Sequence, residues 1–418
     1  MGVGQGAAKI DVWSVFSPMA GHVPKDSINL GQGFMNWAPP DFALKGLTDT
    51  TESVEAHHYS LPRGRQRLRD AIAKTYSASY ERDLDANKEI LVTTGANLAI
   101  YSILLSYLAE PDSEVLCIEP CFDQYTPNIL FNGGKPVYVP LRPPSGKGKQ
   151  TSSADWKLNI DDLRAATTSK TRMLIFNSPH NPSGKVFDAD ELREIAAFAE
   201  EHNLLVIADE VYDSLTFAPA RHIRFATLPG MWERTITVGS AGKSFTATGW
   251  RIGWAIGPER LITPVMAATT RITFCTPSPL QEAVAAALEA ENRGEGFFEA
   301  NRQRYIEQRK VLCDALTAVG LPHSVPDGAY FVLADISGLR IPDDFEVLEM
   351  IKDRPRDWHA AWFLAKTAGV VSIPPSDFYS EEHKHIGENY LRLAFCKDVD
   401  TLKAAGERLL KLKPFLSS

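Results

Sequence analysis

The chain has 418 residues, 44% of them hydrophobic and 23% charged, with a formal net charge of −8. That length buries a large core and suggests about three domains as a prior, and the composition excludes long disorder. The acidic balance argues against a nucleic-acid binder or an anionic-membrane binder, and no apolar run approaches the roughly 18 residues of a transmembrane helix. Five scattered cysteines, Cys117, Cys121, Cys275, Cys313 and Cys396, include no second close pair. Zinc is therefore not expected, and reduced thiols in a cytosolic or organellar enzyme are. Cytoplasm is the expected compartment, with the mitochondrion as the alternative. Met1 to Gly6 lacks the apolar core of a secretory signal, so none is expected. Its Gly-x-Gly-x-Gly follows no strand and is not a dinucleotide fingerprint.

In chain order, Leu30-Gly31-Gln32-Gly33-Phe34 sets two glycines after a short apolar step, a turn or a backbone stretch bared to a ligand. A helix is predicted from Leu68 and a strand over 89–93. Thr94-Gly95-Ala96-Asn97 then leads into an apolar helix over 98–108. A strand, a glycine turn and a helix start make an anion site from free N–H groups and the helix dipole. Strands follow at 114–119 and 135–139, and 142–154 reads as an exposed Pro/Gly/Ser/Lys-rich loop. Within it, Lys147 and Lys149 read as solvated.

Next comes a βαβ unit: strand 173–176, the turn Asn177 to Gly184, a capping-box start at Asp188-x-x-Glu191, and strand 204–208 ending in Asp209-Glu210-Val211-Tyr212. Apolar strands alternating with helices imply a parallel sheet covered on both faces, with ligands at the C-terminal strand ends. Ala96, Phe122, Asn181, Asp209, Tyr212 and Lys243 all fall at such ends.

Thr-Ile-Thr-Val at 235–238 is a buried strand that runs into Gly239-Ser240-Ala241-Gly242-Lys243. A lysine delivered there into a loop can be desolvated, which makes its amine a nucleophile for a carbonyl. A surface loop with two cations is the bland alternative. A P-loop is rejected, because Thr237 stands where its first glycine belongs. Beyond Arg251 the pattern predicts a strand over 252–256 and helices over 279–291 and 297–319. Strands at 329–335, 370–373 and 390–395 and helices near 358–366 and 399–412 complete a second, α+β style of chain.

Together, Leu30-Gly31-Gln32-Gly33-Phe34, Glu119-Pro120-x-Phe122-Asp123, Asn181-Pro182-x-Gly184-Lys185, Asp209-Glu210-Val211-Tyr212, Gly239-Ser240-Ala241-Gly242-Lys243-x-Phe245 and Tyr390-x-Arg392 carry a resemblance. The chain resembles the class I/II aminotransferases of the fold type I pyridoxal-phosphate enzymes. It is most similar to the kynurenine aminotransferase, glutamine transaminase K and cysteine-conjugate β-lyase group. The resemblance implies an α/β fold: a large domain over 46–295 with a mostly parallel seven-stranded sheet between helices, and a small α+β domain over 296–418. Residues 1–45 are expected to pack with the small domain.

The resemblance also implies the roles. Lys243 holds pyridoxal 5′-phosphate and later moves a proton as base. Asp209 faces the pyridine nitrogen, Asn181 and Tyr212 bond the ring oxygen, and Phe122 stacks on the ring. Ser240, Arg251 and the N–H groups of Ala96 and Asn97 hold the phosphate. Arg392 grips the substrate carboxylate beside Gly33, and Tyr59 reaches the neighbouring site of a homodimer. The expected reaction moves the amine of an aromatic or sulfur-containing amino acid to a 2-oxo acid by a ping-pong mechanism. A carbon–sulfur β-lyase acting on cysteine conjugates is the alternative, since both chemistries use Lys243, Asp209 and Arg392. A regulator binding the cofactor without catalysis is disfavoured, because the acidic chain has no room for a DNA-binding domain. Cys275 stands where kynurenine-type enzymes carry His, and Val15, with Trp13 displaced, stands where that group has a pocket tryptophan. His180 receives no role.

Overall fold

The computed structural model describes residues 22–108, 110–144 and 150–417. The readings at Trp13, Val15, Lys147 and Lys149 lie outside them. In chain order the strands are β1 (Ile28–Asn29), β2 (Ile90–Thr93), β3 (Glu114–Glu119), β4 (Lys135–Pro140), β5 (Thr151–Ser152), β6 (Thr171–Asn177) and β7 (Leu205–Asp209). They continue as β8 (Thr235–Ser240), β9 (Gly253–Ile256), β10 (His323–Val325), β11 (Phe331–Asp335), β12 (Val370–Val371) and β13 (Tyr390–Ala394).

The mixed α/β architecture centres on a seven-stranded sheet of order β2-β9-β8-β7-β6-β3-β4. All its strands run parallel except β9, which pairs antiparallel with both neighbours. Side-chain alternation sends Leu116, Ile118, Leu174, Phe176, Val206 and Ala208 into one core and Val115, Cys117, Met173, Ile175 and Ile207 into the other. Burial on both faces is why these strands read as unbroken apolar runs.

Helix ends follow local chemistry. Asp188 accepts from the Glu191 N–H at 2.9 Å while the Glu191 carboxylate accepts from the Asp188 N–H at 3.1 Å, so helix Ala189–Glu201 begins with a complete capping box. Losing such a cap costs about 1 kcal/mol. Helix Phe297–Val319 keeps its predicted limits because Gly296 and Gly320, with φ of 67° and 93°, take the left-handed conformation that stops it at either end. Helix Ala96–Tyr107 starts two residues earlier than predicted, directly after Gly95 at φ 84°.

A second sheet has the order β13-β11-β10-β5, and β1 pairs in parallel with β12. The predicted loop over 142–154 is corrected at its end. Thr151 and Ser152 form β5, parallel to β10, and the Thr151 and Ser324 hydroxyls lie 3.1 Å apart. Ser153 donates to the Gly184 carbonyl at 3.1 Å, and the buried Trp156 indole donates to Ser324 at 3.2 Å. A two-residue strand that pairs with a partner far along the chain has no period of its own, so Pro/Gly/Ser composition conceals it.

Candidate active site

The C-terminal ends of β2, β3, β6, β7 and β8 open on one edge of the sheet, and antiparallel β9 begins there. Strand β8 passes at Ser240 straight into a short helix, Ala241–Ser244, where a loop was predicted. A Cβ on Gly239 would stand 2.0 Å from the Trp254 indole nitrogen, so only glycine lets that ring lie against the strand. Lys243 emerges from this helix. Its Nζ donates to the Tyr330 hydroxyl at 2.9 Å, and Tyr330 donates onward to the Gly33 carbonyl at 2.9 Å. Burial lowers the Lys243 pKa to about 8, with Arg251 and Arg392 pushing the same way and Cys396 and Asp209 opposing. About a tenth of such an amine is uncharged at pH 7, against well under a thousandth for an ordinary lysine.

Asp209 ends β7 almost wholly buried. Burial raises its pKa to about 6, opposed by the Tyr125 hydroxyl, which donates to its Oδ2 at 2.5 Å, then by the Val211 N–H and by Lys243. It is therefore ionised at neutral pH. Asn177 donates its side-chain N–H to the Asp209 backbone carbonyl at 2.8 Å and accepts from the Asn181 N–H at 2.8 Å. The Asn181 side-chain carbonyl accepts in turn from Arg392 at 3.0 Å. Tyr212, buried, presents its ring to Lys243 and stands edge-on to Tyr330 at 5.1 Å. Phe122 meets Tyr125 edge-to-face at 5.7 Å.

An anion cradle lies at the start of helix Ala96–Tyr107. The first-turn N–H groups of Ala96 and Asn97 have no acceptor within their own helix. Gly95 adopts φ 84°, a conformation that favours glycine, and the Arg251 guanidinium lies against it, 2.5 Å from where a Cβ would stand. Arg251 itself adopts φ 55°, a left-handed conformation unusual for a side-chain-bearing residue. Ser240 sits at the start of the short helix without spending its hydroxyl on a cap.

Arg392 on β13 is 5% exposed and lies between the rings of Phe331 and Phe378, at 4.3 and 4.9 Å. Among the described residues its two hydrogen bonds go to neutral acceptors, Asn181 and the Gly31 carbonyl at 2.8 Å, and its buried Nε–H has no partner. Burial lowers its pKa to about 10. A buried guanidinium with unspent donors is poised for a carboxylate. A Cβ on Gly33 would stand 2.9 Å from the Tyr330 ring, which keeps that backbone close to Lys243.

The structure thus brings Lys243, Tyr212, Asp209, Asn181, Phe122, Ser240, Arg251, Ala96 and Asn97 together at one edge of the large sheet and sets Gly33 and Arg392, from outside that sheet, beside them. Tyr59 stands apart. It is 85% exposed and pairs edge-to-face at 5.3 Å with Phe274, which follows helix Glu259–Thr273 in a strained γ-turn at φ 64° and ψ −62°. Tyr125, Asn177 and Tyr330 are members that sequence reasoning left without roles. Tyr125 lies three residues beyond Phe122, across the turn that opens helix Tyr125–Phe131, which is a usable signal. Tyr330 and Lys243 are 87 residues apart, with no spacing to connect them. His180 is buried in its turn beside the Ser183 hydroxyl at 2.7 Å, and burial lowers its pKa to about 3, so it stays neutral.

Residues 25–409 match the family described as aminotransferase class I and II. The chain belongs to that family. Kynurenine–oxoglutarate transaminase of Dictyostelium discoideum is 42% identical over 412 residues, 96% of this chain and 94% of that protein. A solved structure of a candidate kynurenine aminotransferase from Saccharomyces cerevisiae superposes with a TM-score of 0.94 at 42% identity, covering 98% of this chain and 97% of that one. N-succinyldiaminopimelate aminotransferase of Mycobacterium tuberculosis superposes with a TM-score of 0.86 at 37% identity over 99% of both chains. The protein is an aminotransferase, and these relatives favour transamination over the β-lyase alternative. The family implies pyridoxal phosphate, and the aminotransferase site fits it on its own terms. A low-pKa lysine, a deep ionised carboxylate and a glycine-lined cradle of N–H groups and a guanidinium match the carbonyl, ring nitrogen and phosphate of that group. No described helix is long and apolar enough to cross a membrane.

Proposed function

We propose that this aminotransferase takes its amine from aromatic or sulfur-containing amino acids, kynurenine among them, and passes it to a 2-oxo acid. The names of the relatives from Dictyostelium discoideum and Saccharomyces cerevisiae support kynurenine and 2-oxoglutarate as the pair to test first. The observation that carries the proposal is Arg392, a buried cation with unspent N–H groups between two aromatic rings. We assign Arg271, in the last turn of helix Glu259–Thr273, to the helix surface and not to a second carboxylate clamp, which leaves an apolar side chain as the better match. A side-chain carboxylate facing Phe378 would lose hydration without gaining a partner.

In this reading pyridoxal phosphate, when bound, supplies the carbonyl that receives the amine and the ring that takes up the negative charge left at Cα. The chain supplies the rest. Ala96, Asn97, Ser240 and Arg251 hold the phosphate, and Phe122 covers the ring. Asp209 holds a proton at the ring nitrogen. Asn181 and Tyr212 orient the ring oxygen. Arg392 and the Gly33 backbone fix the substrate carboxylate, which turns the Cα–H toward Lys243. Lys243, with its lowered pKa, removes that proton and returns it. Tyr59 completes the pocket of a second copy. Its exposure, with Phe274, Leu61 and Val54 exposed beside it in sequence or space, gives an apolar patch suited to a homodimer.

The test is a donor panel on purified protein loaded with pyridoxal phosphate. Single-turnover absorbance change is read for kynurenine, phenylalanine, methionine, glutamine and aspartate without added oxo acid. Fast reaction of the first group and slow reaction of aspartate supports the proposal. Aspartate as the best donor overturns it.

A further inference from the structure

Asp209 is a carboxylate placed where ionisation is costly, and the cause of its ionisation can be traced. Among the described residues, the charged and titratable groups that act most on it are Tyr125 from helix Tyr125–Phe131, Lys243 from helix Ala241–Ser244, and Glu210 and Tyr212 from its own segment. Glu210 opposes ionisation, although its own carboxylate is turned toward His222 at 3.0 Å and Arg224 at 2.8 Å. Lys243 favours ionisation only as a cation, and its work requires it to give up that charge. Tyr212 points its ring at Lys243 and Tyr330 instead.

That leaves Tyr125. Its hydroxyl reaches Asp209 Oδ2 at 2.5 Å, and both side chains are buried, at 2% and 4% exposure. Burial and the neighbouring carboxylate push the phenol far above its usual range, so it is always protonated and always the donor. Its place is fixed independently of Asp209. The Tyr125 N–H donates to the Phe122 carbonyl at 3.0 Å, the residue opens a helix, and its ring packs edge-to-face on Phe122. The bond occupies Oδ2. Among the described residues Oδ1 accepts from the Val211 N–H alone, at 3.4 Å, and it keeps its capacity for another donor.

We propose that Tyr125 is the positioning residue that holds Asp209 ionised and directs Oδ1 to the cofactor's ring nitrogen. Its partner is a carboxylate, so the bond is charge-assisted, and removing the donor favours the protonated acid. A protonated Asp209 cannot keep a proton on the ring nitrogen. The consequence for catalysis rests on the reading of Asp209 given under Proposed function; the titration itself does not.

The test uses the full chain free of cofactor, labelled with aspartate carrying ¹³C at the side-chain carboxyl, with Asp209→Asn to assign the signal. Tyr125→Phe keeps the ring and its packing and removes one oxygen. The titration midpoint of Asp209 should rise by about one to two pH units relative to wild type, the worth of a hydrogen bond to a charged group. In the loaded enzyme the acid limb of kcat against pH should move up with it, with most activity returning at high pH. If Tyr125→Phe does not fold, replacing tyrosine throughout with 3-fluorotyrosine, a stronger donor, should lower the midpoint instead. A midpoint that moves less than about half a pH unit with either change overturns the role of Tyr125. If Asp209→Asn kept full activity, the reading of Asp209 would fall whatever the titration showed.

Discussion

Changing Arg392 to lysine keeps the charge and removes the fork. The wild-type guanidinium is locked by Asn181 and the Gly31 carbonyl, at 3.0 and 2.8 Å, and clamped between Phe331 and Phe378. Its remaining donors, the buried Nε–H among them, are those a substrate carboxylate would take. Lysine offers a point charge in place of two parallel bonds, so one charge-assisted bond is lost. At about 1.5–3 kcal/mol for a bond to a charged group, kcat/KM should fall roughly ten- to hundredfold. The loss should appear chiefly in KM, because the carboxylate is gripped equally before and during proton transfer. The assay is steady-state kinetics on phenylalanine beside phenethylamine, which lacks the carboxylate. The wild type should prefer the amino acid strongly, and the variant should lose most of that preference. A fall in kcat/KM of less than about threefold, or an equal loss on both compounds, would refute the assignment.

Asp209→Ala should still take up pyridoxal phosphate but lose about 3 kcal/mol of barrier lowering, a rate at least a hundredfold down; a near-normal kcat in the loaded variant would contradict its role. Mixing inactive Lys243→Ala with an inactive Tyr59 variant should restore partial activity through hybrid dimers, and a fully active monomer in sedimentation would remove the shared site. Aromatic and methionine-like donors should exceed aspartate by a large factor in kcat/KM, and Arg271→Ala should leave all of them unchanged. Selective loss of aspartate activity in that variant would place Arg271 in the pocket.

Much of this was legible in the amino-acid pattern, for identifiable reasons. The strands of the large sheet are buried on both faces, so their apolar runs at 114–119 and 204–208 stand out. Capping chemistry is local, which made the helix start at Asp188 readable. Residues at strand ends, such as Asp209 and Lys243, follow from the rule that parallel sheets bind ligands there. Contacts between distant parts of the chain were not legible. Strand β5 is defined only by its pairing with β10. Tyr330, just before β11, meets Lys243 from the helix after β8 across 87 residues. The hydroxyl of Tyr125 finds Asp209 across 84 residues. In each case the sequence holds one partner's chemistry, and only the packing supplies the other.

The central claim is that Lys243 is the amine that holds the cofactor. Borohydride reduction of the loaded protein, followed by peptide mass mapping, tests it most directly. Reduced cofactor mass on the peptide containing Lys243, and none bound covalently in Lys243→Ala that still takes up pyridoxal phosphate reversibly, is the predicted result. Stoichiometric labelling of any other lysine in the wild type would contradict the account.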